Sequence, residues 1–368
     1  MSATESVISA DSHICEIEDC YADMDPKFRD RRPRQMFDEN AGAVLEIEDL
    51  GMRVPMGLVC TGGRPPEDFG RAVRWEEIHP AGFDPKERLE IQRAEGVMAE
   101  VLYPSLGMML NMHPDIDYKK ACFDAYNRWL AGFCEAAPER LVGVGQATIR
   151  TVEEGIEEVR SYKERGFRSV MLPGEPTVED YDHRCYDPFW EACIDLGLPV
   201  SFHILTTSDW ISNRIRGQSN LVRQIITVRG IQDIIMLLTL GGVFDRHPDL
   251  RVICVEADAG WVPHFKFRLD HAYERHRHHL TTTELQRSPG EYIDENVYVT
   301  FQDDYSVKHI TGGLNLDRVM WATDFPHSDG TYPHTRAVID QVTQGLEARE
   351  REAVLRDNAS ALYGIATA

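Results

Sequence analysis

The sequence predicts an α/β protein built as a (β/α)8 TIM barrel with an insertion between the first and second strands. Eight apolar runs with strand character recur along the chain, and most are separated by segments with helical spacing. Polar side chains follow several of these runs, as they do at the catalytic mouth of such barrels. A doubly wound open sheet is the alternative that the same alternation allows.

Each predicted strand is a short apolar run. The runs are 7–11 (VISAD), 97–103 (VMAEVLY), 141–147 (LVGVGQA), 167–173 (FRSVMLP), 198–204 (LPVSFHI), 250–257 (LRVICVEA), 296–301 (NVYVTF) and 317–324 (DRVMWATD). The long segment 12–96 separates the first two runs and includes GMRVPMGLVCTGGRPPEDFGRAVRW at 51–75. This spacing predicts an insertion over the active-site face.

Three segments between the strands have the apolar spacing of amphipathic helices. They lie at 118–137, 152–166 and 186–197, and the last two end at Gly166 and Gly197, which suit a helix C-cap. Linkers and low-complexity tracts do not interrupt the chain. Residues 1–368 are therefore predicted to form a single barrel domain.

The composition is that of an ordinary globular protein, with 42% hydrophobic and 27% charged residues. The formal net charge of −22 argues against binding to nucleic acid or to an anionic membrane, because both would repel the chain. The N-terminus lacks secretory features, and the most apolar stretch, 234–244, is too short to span a bilayer. We expect a cytoplasmic protein that acts on a small molecule, and the sequence is compatible with a homo-oligomer.

The eight cysteines are scattered without a CxxC pair. Together with the missing secretory features, this predicts reduced and mostly buried thiols rather than a disulfide framework. Cys15, which lies among polar residues after the first strand, is expected to pack rather than to react.

Side chains that bind metals well follow four of the predicted strands, whose ends converge on one mouth in a barrel. They are Asp11, His13, His203, Glu256 and Asp324. A lone Asp after a strand is most often a helix N-cap, and a lone His most often a hydrogen-bonding residue. Several together would leave buried negative charge uncompensated without a divalent cation. Glu16 is a further candidate ligand, and a solvated or capping carboxylate is its alternative role. The sequence therefore predicts a metal site.

Four motifs follow the first, fifth, sixth and eighth predicted strands. They are ADSHICE at 10–16, SFHIL at 201–205, GGVFDRHPDLRVICVEADAGW at 241–261 and VMWATDFPHSDGTYP at 319–333. Together they resemble the amidohydrolase superfamily, in its aminocarboxymuconate-semialdehyde-decarboxylase-like branch. The resemblance implies metal ligation by His13, His203 and Asp324, with Asp11 where many members have the first His of an HxH pair.

Glu256 departs from the family pattern, since many decarboxylases of the branch have a His at this strand end. The resulting set of imidazoles and carboxylates suits iron or manganese at least as well as zinc. Carboxylates can also bridge two metals about 3.5 to 4 Å apart. A further resemblance, to amidohydrolase-fold non-haem diiron monooxygenases of diterpenoid biosynthesis, then implies two iron ions that activate dioxygen.

The function expected from this resemblance is a diiron monooxygenase of secondary metabolism. It would hydroxylate a bulky hydrophobic, terpenoid-like acid, and the resemblance allows a coenzyme A thioester of that acid. Glu256, Asp324 and His327 would serve catalysis, with His327 as a partner of Asp324 or a proton donor. The alternative is a manganese- or zinc-dependent non-oxidative decarboxylase or hydrolase, and a metal-stabilised binding protein is the third candidate.

The segment after His203 carries basic residues in an otherwise acidic chain. Arg214 and Arg216 suit an anionic substrate, because a planar guanidinium binds two oxygens at once. Surface ion pairing is the alternative role. Trp210 is expected to line an apolar part of the substrate pocket.

Overall fold

The computed structural model describes residues 6–208 and 221–367. Its strands, β1 to β10 in chain order, are Val7–Ile14, Arg34–Asp38, Gly42–Glu46, Val97–Pro104, Leu141–Gln146, Ser169–Met171, Val200–His203, Val252–Val255, Val297–Phe301 and Val319–Trp321. All except β2 and β3 form one parallel sheet in the order β1-β4-β5-β6-β7-β8-β9-β10. Neighbours in this sheet follow the order of the chain, which is the topology of a barrel and not of a doubly wound sheet. The predicted (β/α)8 barrel is confirmed.

The barrel closes where β1 meets the end of β10. The Asp324 N–H donates to the Asp11 carbonyl at 3.0 Å, and the His13 N–H donates to the Phe325 carbonyl at 2.8 Å. The Thr323 N–H donates to a side chain of β1 at 2.8 Å. These bonds join the first and last strands beside the predicted metal ligands, and we call this junction the seam.

Helices connect the strands along the chain and pack around the sheet. In chain order, α1 to α14 are Met56–Val59, Pro85–Glu95, Leu106–Leu110, Ile116–Cys134, Val152–Glu164, Asp187–Leu196, Leu221–Ile226, Val228–Leu240, Val243–Arg246, Val262–His276, Pro289–Asn296, Thr335–Val342, Ala348–Glu352 and Asn358–Tyr363. The three helices predicted from spacing correspond to α4, α5 and α6. Gly197 caps α6 in the left-handed conformation, with φ of 61°, as its position in the sequence indicates.

The predicted insertion is confirmed and lies between β1 and β4. It contains the antiparallel hairpin β2–β3, in which Arg34 pairs with Glu46 and Asp38 with Gly42. An isolated bridge joins Val44 to Pro55, just before α1. The N–H of Gly62 donates to the Pro326 carbonyl at 2.9 Å, so the insertion reaches the loop that follows β10.

The apolar core has two parts, separated by the sheet. Alternate residues of the strands, such as Val101 and Tyr103, form the cluster inside the barrel, which residues of α14 also join. The other alternate residues pack outward against the helices in the larger cluster, as Leu102 does. This division follows from the two-residue period of a strand.

The prediction of reduced thiols is wrong for two cysteines. Cys15 and Cys60 form a disulfide, with their Cα atoms 5.7 Å apart, while the other described cysteines are free. The pair is close because Cys15 follows β1 and Cys60 follows α1, two elements that only the folded insertion brings together. Among the residues described, no helix combines the length and the apolar character needed to cross a lipid bilayer.

Candidate metal centre

A bulge in β1 turns both Asp11 and His13 into the barrel. The register of β1 against β4 shifts between Ser9 and Ser12. These two serine hydroxyls lie 2.9 Å apart on the outer side of the strand, whereas Ala10 packs inside the barrel. Ala10 and Asp11 therefore both face inward, and alternation from Asp11 brings His13 inward as well.

Glu256 and Asp324 reach the mouth through an uncommon backbone conformation. They follow β8 and β10 with φ of 55° and 57°, in the left-handed region that few residues other than glycine adopt. The Glu256 N–H donates to Thr300 Oγ1 at 2.8 Å, while the Asp324 N–H is bonded across the seam. Such conformations persist where the surrounding structure holds them, and they concentrate at functional sites.

Five of the predicted side chains meet at the mouth. His13 Nε2 lies 3.3 Å from Asp11 Oδ1 and 3.0 Å from Asp324 Oδ1. His203 Nε2 lies 3.6 Å from both Asp11 Oδ1 and Glu256 Oε2. Four of these side chains are buried, and Glu256 keeps 21% of its side-chain surface exposed. We call these five residues the cluster.

The cluster fits a divalent cation. Several of its buried atoms have no hydrogen-bond partner among the described residues: both carboxylate oxygens of Asp11 and of Asp324, His13 Nε2, His203 Nε2 and Glu256 Oε2. Unpaired polar atoms are costly inside a protein, and a cation bound among them would satisfy the donor atoms that contact it. The donor atoms form two overlapping groups, each within 4.8 Å, and His327 belongs to the second. These side chains could therefore hold a divalent cation.

Backbone carbonyls orient both imidazole rings of the cluster. His13 Nδ1 lies 2.9 Å from the Pro104 carbonyl oxygen, and His203 Nδ1 lies 3.0 Å from that of Ile204. A ring nitrogen that faces a carbonyl must carry a proton, because the carbonyl can only accept. Nδ1–H therefore donates, which leaves Nε2 of each ring as the atom that would hold a metal.

Without a cation, the cluster holds protons instead. Burial lowers the pKa of His13, but the hydrogen bonds and charges of Asp11 and Asp324 outweigh it and raise this pKa well above its usual value. Burial, followed by the charges of Asp324 and Asp11, raises the pKa of Glu256 well above its usual value. Metal binding therefore has to release protons from the cluster.

Glu16, a predicted ligand, lies apart from the cluster and binds backbone. Its Oε2 accepts the N–H groups of Ser105 at 3.2 Å and Leu106 at 3.0 Å, and its Oε1 accepts that of Gly107 at 2.8 Å. These donors stand at the start of α3, where a helix has no internal partners for them. Burial raises the pKa of Glu16, although the backbone donors oppose this. Both oxygens are engaged, so Glu16 is left out of the ligand set.

His327 is held at both ring nitrogens. Its Nδ1 lies 2.9 Å from Asp324 Oδ1, its Nε2 lies 2.9 Å from Ser105 Oγ, and its ring stacks on His13 at 3.7 Å between centroids. The order Ser–His–Asp is that of a nucleophilic triad. Here, however, the N–H groups beside the serine, which would stabilise an oxyanion, are already taken by Glu16. We interpret Ser105 and His327 as supports that orient Asp324.

The predicted substrate contacts Trp210, Arg214 and Arg216 lie outside the described residues. Their roles in an apolar pocket and in anion binding stay predictions. His203, the histidine that precedes them in the sequence, is described and ends β7.

Ser105 and Gln146 belong to the mouth although no sequence motif marks them. Gln146 ends β5, is buried, and has no hydrogen-bond partner for its amide nitrogen or oxygen among the described residues. Val142 and Val144 pack inside the barrel, so alternation points Gln146 inward too. Gly107 packs closely against this amide, because a Cβ atom added to Gly107 would lie only 2.6 Å from the amide nitrogen and oxygen of Gln146. A polar residue that ends an apolar strand is the signal that could have identified it.

A sequence profile described as Amidohydrolase matches residues 76–365. The chain belongs to the amidohydrolase family. The match begins after β1, so that Asp11 and His13 lie outside it, whereas His203, Glu256 and Asp324 lie within it. The family resemblance seen in the sequence motifs is thereby confirmed.

Curated relatives of this amidohydrolase are decarboxylases. The chain is 23% identical over 327 residues to gamma-resorcylate decarboxylase of Rhodococcus jostii (strain RHA1), covering 80% of this chain and 92% of the relative. It is 23% identical over 246 residues to 2-amino-3-carboxymuconate-6-semialdehyde decarboxylase of Dictyostelium discoideum, covering 65% of each chain.

Solved structures share the fold over nearly all of this chain. An amidohydrolase from Mycobacterium avium subsp. paratuberculosis K-10 superposes with a TM-score of 0.82 at 21% identity, covering 99% of this chain and 100% of the other. A dihydroxybenzoic acid decarboxylase from Polaromonas sp. JS666, with bound manganese and the inhibitor 2-nitroresorcinol, superposes with a TM-score of 0.64 at 18% identity, covering 99% and 98%. At such identities the similarity establishes the fold.

The decarboxylase relatives overturn the prediction of a diiron monooxygenase. The predicted oxidoreductase activity and the iron dependence are wrong, and two iron ions, dioxygen and a coenzyme A thioester find no support among these relatives. The error has a physical origin. Glu16 caps a helix and so adds no further carboxylate to the cluster. The combination of carboxylates and imidazoles that remains suits manganese as well as iron.

Proposed function

We propose that the chain is a manganese-dependent, non-oxidative decarboxylase of a small aromatic or similarly conjugated carboxylic acid. The observation that carries this is the Glu256 carboxyl, whose buried Oε2 lacks a partner among the described residues and lies in a cluster suited to a cation. In a metal-dependent decarboxylase, a cation would bind the acid, and the carbon that loses carbon dioxide needs a proton. The decarboxylase names of the curated relatives support the same reaction.

Asp11, His13, His203 and Asp324 are the proposed ligands of the metal. Two carboxylates with two imidazoles suit Mn²⁺ at least as well as Zn²⁺, because no thiolate takes part. Solved decarboxylases of this fold contain bound manganese, which supports that choice. When bound, the cation would polarise oxygen atoms of the substrate.

The proposed reaction breaks the C–C bond between the substrate and its carboxylate. The electron pair of this bond stays on the substrate carbon, and carbon dioxide leaves. Glu256 Oε2 is the proposed donor of the replacing proton, because it lies 3.6 Å from His203 Nε2 in the cluster and has no hydrogen-bond partner in the part of the chain that the structure describes. The carboxylate left on Glu256 regains its proton from water, which reaches its exposed surface.

Two more side chains support this reaction without exchanging protons with the substrate. His327 holds Asp324 in place, because its Nδ1 lies 2.9 Å from Asp324 Oδ1 and its Nε2 lies 2.9 Å from Ser105 Oγ. The unpaired amide of Gln146 points into the barrel and offers a donor and an acceptor to a polar group of the substrate, such as a ring hydroxyl.

Metal-free protein reloaded with Mn²⁺ tests the proposed function. It would be incubated with 2,6-dihydroxybenzoate or 5-carboxyvanillate, the acids in the names of solved relatives, with and without oxygen. We expect carbon dioxide to be released in proportion to the acid consumed, at the same rate in both atmospheres. Oxygen consumption in step with product would contradict the proposal. So would a failure of the Mn²⁺-loaded protein to decarboxylate either acid or 2-amino-3-carboxymuconate-6-semialdehyde, the substrate type of a curated relative.

A further inference from the structure

Arg88 of α2 lies buried directly behind the metal site, with no exposed side-chain surface. Its guanidinium pairs with Glu100 of β4, with Nε 2.6 Å from Oε2 and Nη2 3.3 Å from Oε1. A buried ion pair has a desolvation cost that its attraction often fails to offset, so such a pair is weak support for a purely stabilising role.

The other N–H groups of Arg88 bind backbone beside two proposed ligands. Nη1 donates to the His13 carbonyl at 2.8 Å, and Nη2 donates to the Phe325 carbonyl at 3.0 Å. His13 is itself a ligand, and Phe325 directly follows Asp324. The Phe325 ring packs against the guanidinium, whose Cζ lies 4.8 Å from the ring centroid. One planar group therefore contacts both sides of the seam.

Glu100 extends the same network to β1. Its Oε2 accepts from Gln92 Nε2 at 2.7 Å, and its Oε1 accepts from Ser12 Oγ at 3.2 Å. Ser12 lies between Asp11 and His13 in the bulged strand. The carboxylate that fixes Arg88 is thus also bonded to the strand that supplies two ligands.

We propose that Arg88 is a positioning residue for the metal site. By fixing the carbonyl groups of His13 and Phe325, it sets the separation between the side chains of His13 and Asp324. The role needs an arginine, because one group must reach a carboxylate and two carbonyls at once, which a single ammonium cannot do. This inference rests on the proposed function only in taking the cluster as a site for Mn²⁺.

The substitution Arg88→Lys tests the proposal, since it keeps the positive charge and removes the planar fork. Two quantities would be measured on the metal-free full chain: the Kd for Mn²⁺, by competition with a chelating dye, and the thermal midpoint. We expect binding about 10- to 100-fold weaker, as for other groups that orient metal ligands, and turnover restored by excess Mn²⁺. A packing role would lower the midpoint and leave the Kd unchanged. An unchanged Kd in the folded variant would overturn the proposal.

A double variant, Arg88→Met with Glu100→Met, covers the case in which Arg88→Lys does not fold. It removes both charges together, and apolar replacements of buried ion pairs often preserve the fold. Weakened Mn²⁺ binding by this folded variant supports the proposal, whereas wild-type affinity, or failure of both variants to fold, overturns it.

The control is Arg93→Lys on the same helix, where Arg93 is exposed and pairs only with Glu90 among the contacts described. It should bind Mn²⁺ as the wild type does. A wild-type chain that does not bind Mn²⁺ would overturn the proposed function. Wild-type binding that the Arg88 variants leave unaltered would overturn this inference alone.

Discussion

His13 Nε2 lies 3.0 Å from Asp324 Oδ1, so that the first and last strands of the barrel face each other at the metal site. The two strands are also joined by backbone hydrogen bonds across the seam, from the Asp324 N–H to Asp11 and from the His13 N–H to Phe325. These bonds do not involve the cation. We therefore expect the barrel to stay folded when the metal is removed, while activity is lost.

Removal of one ligand gives the first prediction. In His203→Ala, the cluster loses a proposed ligand, an imidazole whose Nε2 has no hydrogen-bond partner in the described parts of the chain, so Mn²⁺ binding should weaken by at least about 100-fold. The thermal midpoint of the metal-free protein should change little. The measurement is the metal content after dialysis, together with thermal unfolding of the metal-free protein. His309→Ala, at an exposed histidine, is the control, and unfolding of His203→Ala would indicate a structural metal instead.

The second prediction concerns the proton donor. Glu256→Gln keeps the shape of the side chain and cannot donate an acidic proton, so decarboxylation should fall by about 100-fold or more with Mn²⁺ still bound. Glu256→His, which follows the pattern of many related decarboxylases, restores a proton carrier and should recover part of the rate. Metal content and carbon dioxide release would be measured on the same preparations. If Glu256→Gln instead loses its metal, Glu256 is a ligand and the proton comes from elsewhere.

The third prediction uses the unpaired amide of Gln146. Gln146→Leu removes a buried polar group that has no partner, so the metal-free protein should gain about 1 kcal/mol in free energy of unfolding. The same change should raise KM for 2,6-dihydroxybenzoate more than it lowers kcat, because the amide is expected to bind ground state and transition state alike. Denaturant unfolding and steady-state kinetics measure the two effects. An unchanged KM would remove Gln146 from the substrate site.

A fourth prediction concerns stability away from the mouth. Asp187, at the start of α6, accepts from Arg246 Nε at 2.9 Å and from His247 Nε2 at 3.0 Å. Burial raises the pKa of Asp187, but His247 and Arg246 outweigh it and lower the pKa. Because the folded-state pKa lies below the unfolded value, the contribution to stability is complete above about pH 4 and is lost as the pH falls through the folded-state pKa.

Asp187→Asn should therefore lower the free energy of unfolding by about 1 kcal/mol at pH 7, and by less at each step toward acid. The measurement is denaturant unfolding across the acid range. Asp249→Asn is the control, since Asp249 is largely exposed and lies 4.0 Å from its arginine partner. A destabilisation that does not vary with pH would exclude the charged pair as its cause.

The sequence predicted the barrel and the convergence of the strand ends because both depend on local patterns. Apolar runs define the strands, and parallel strands bring His203, Glu256 and Asp324 to one end. The position of Glu16 could not be predicted in this way. Its partners are backbone N–H groups of Ser105 to Gly107, far away in the chain, and no spacing rule connects them.

Arg88 escaped prediction for a related reason. The spacing of charges along α2 does not distinguish Arg88, which is buried, from Arg93, which is exposed; only packing against β4 separates them. Glu100 gives the one local signal, because it places a carboxylate in the middle of an apolar strand. A buried carboxylate of this kind needs a positively charged or hydrogen-bonding partner. The disulfide between Cys15 and Cys60 likewise depends on how the insertion folds back on β1.

The seam also fixes when the site can form during synthesis. A ribosome makes Asp11 and His13 long before it makes Asp324. A nascent chain therefore cannot assemble the ligand set until β10 has emerged, and metal loading has to follow completion of the barrel. A chain that terminates before β10 would leave the edges of β1 and β9 unpaired, and open strand edges of this kind promote aggregation. Metal content should thus distinguish finished molecules from aborted ones in a newly made population.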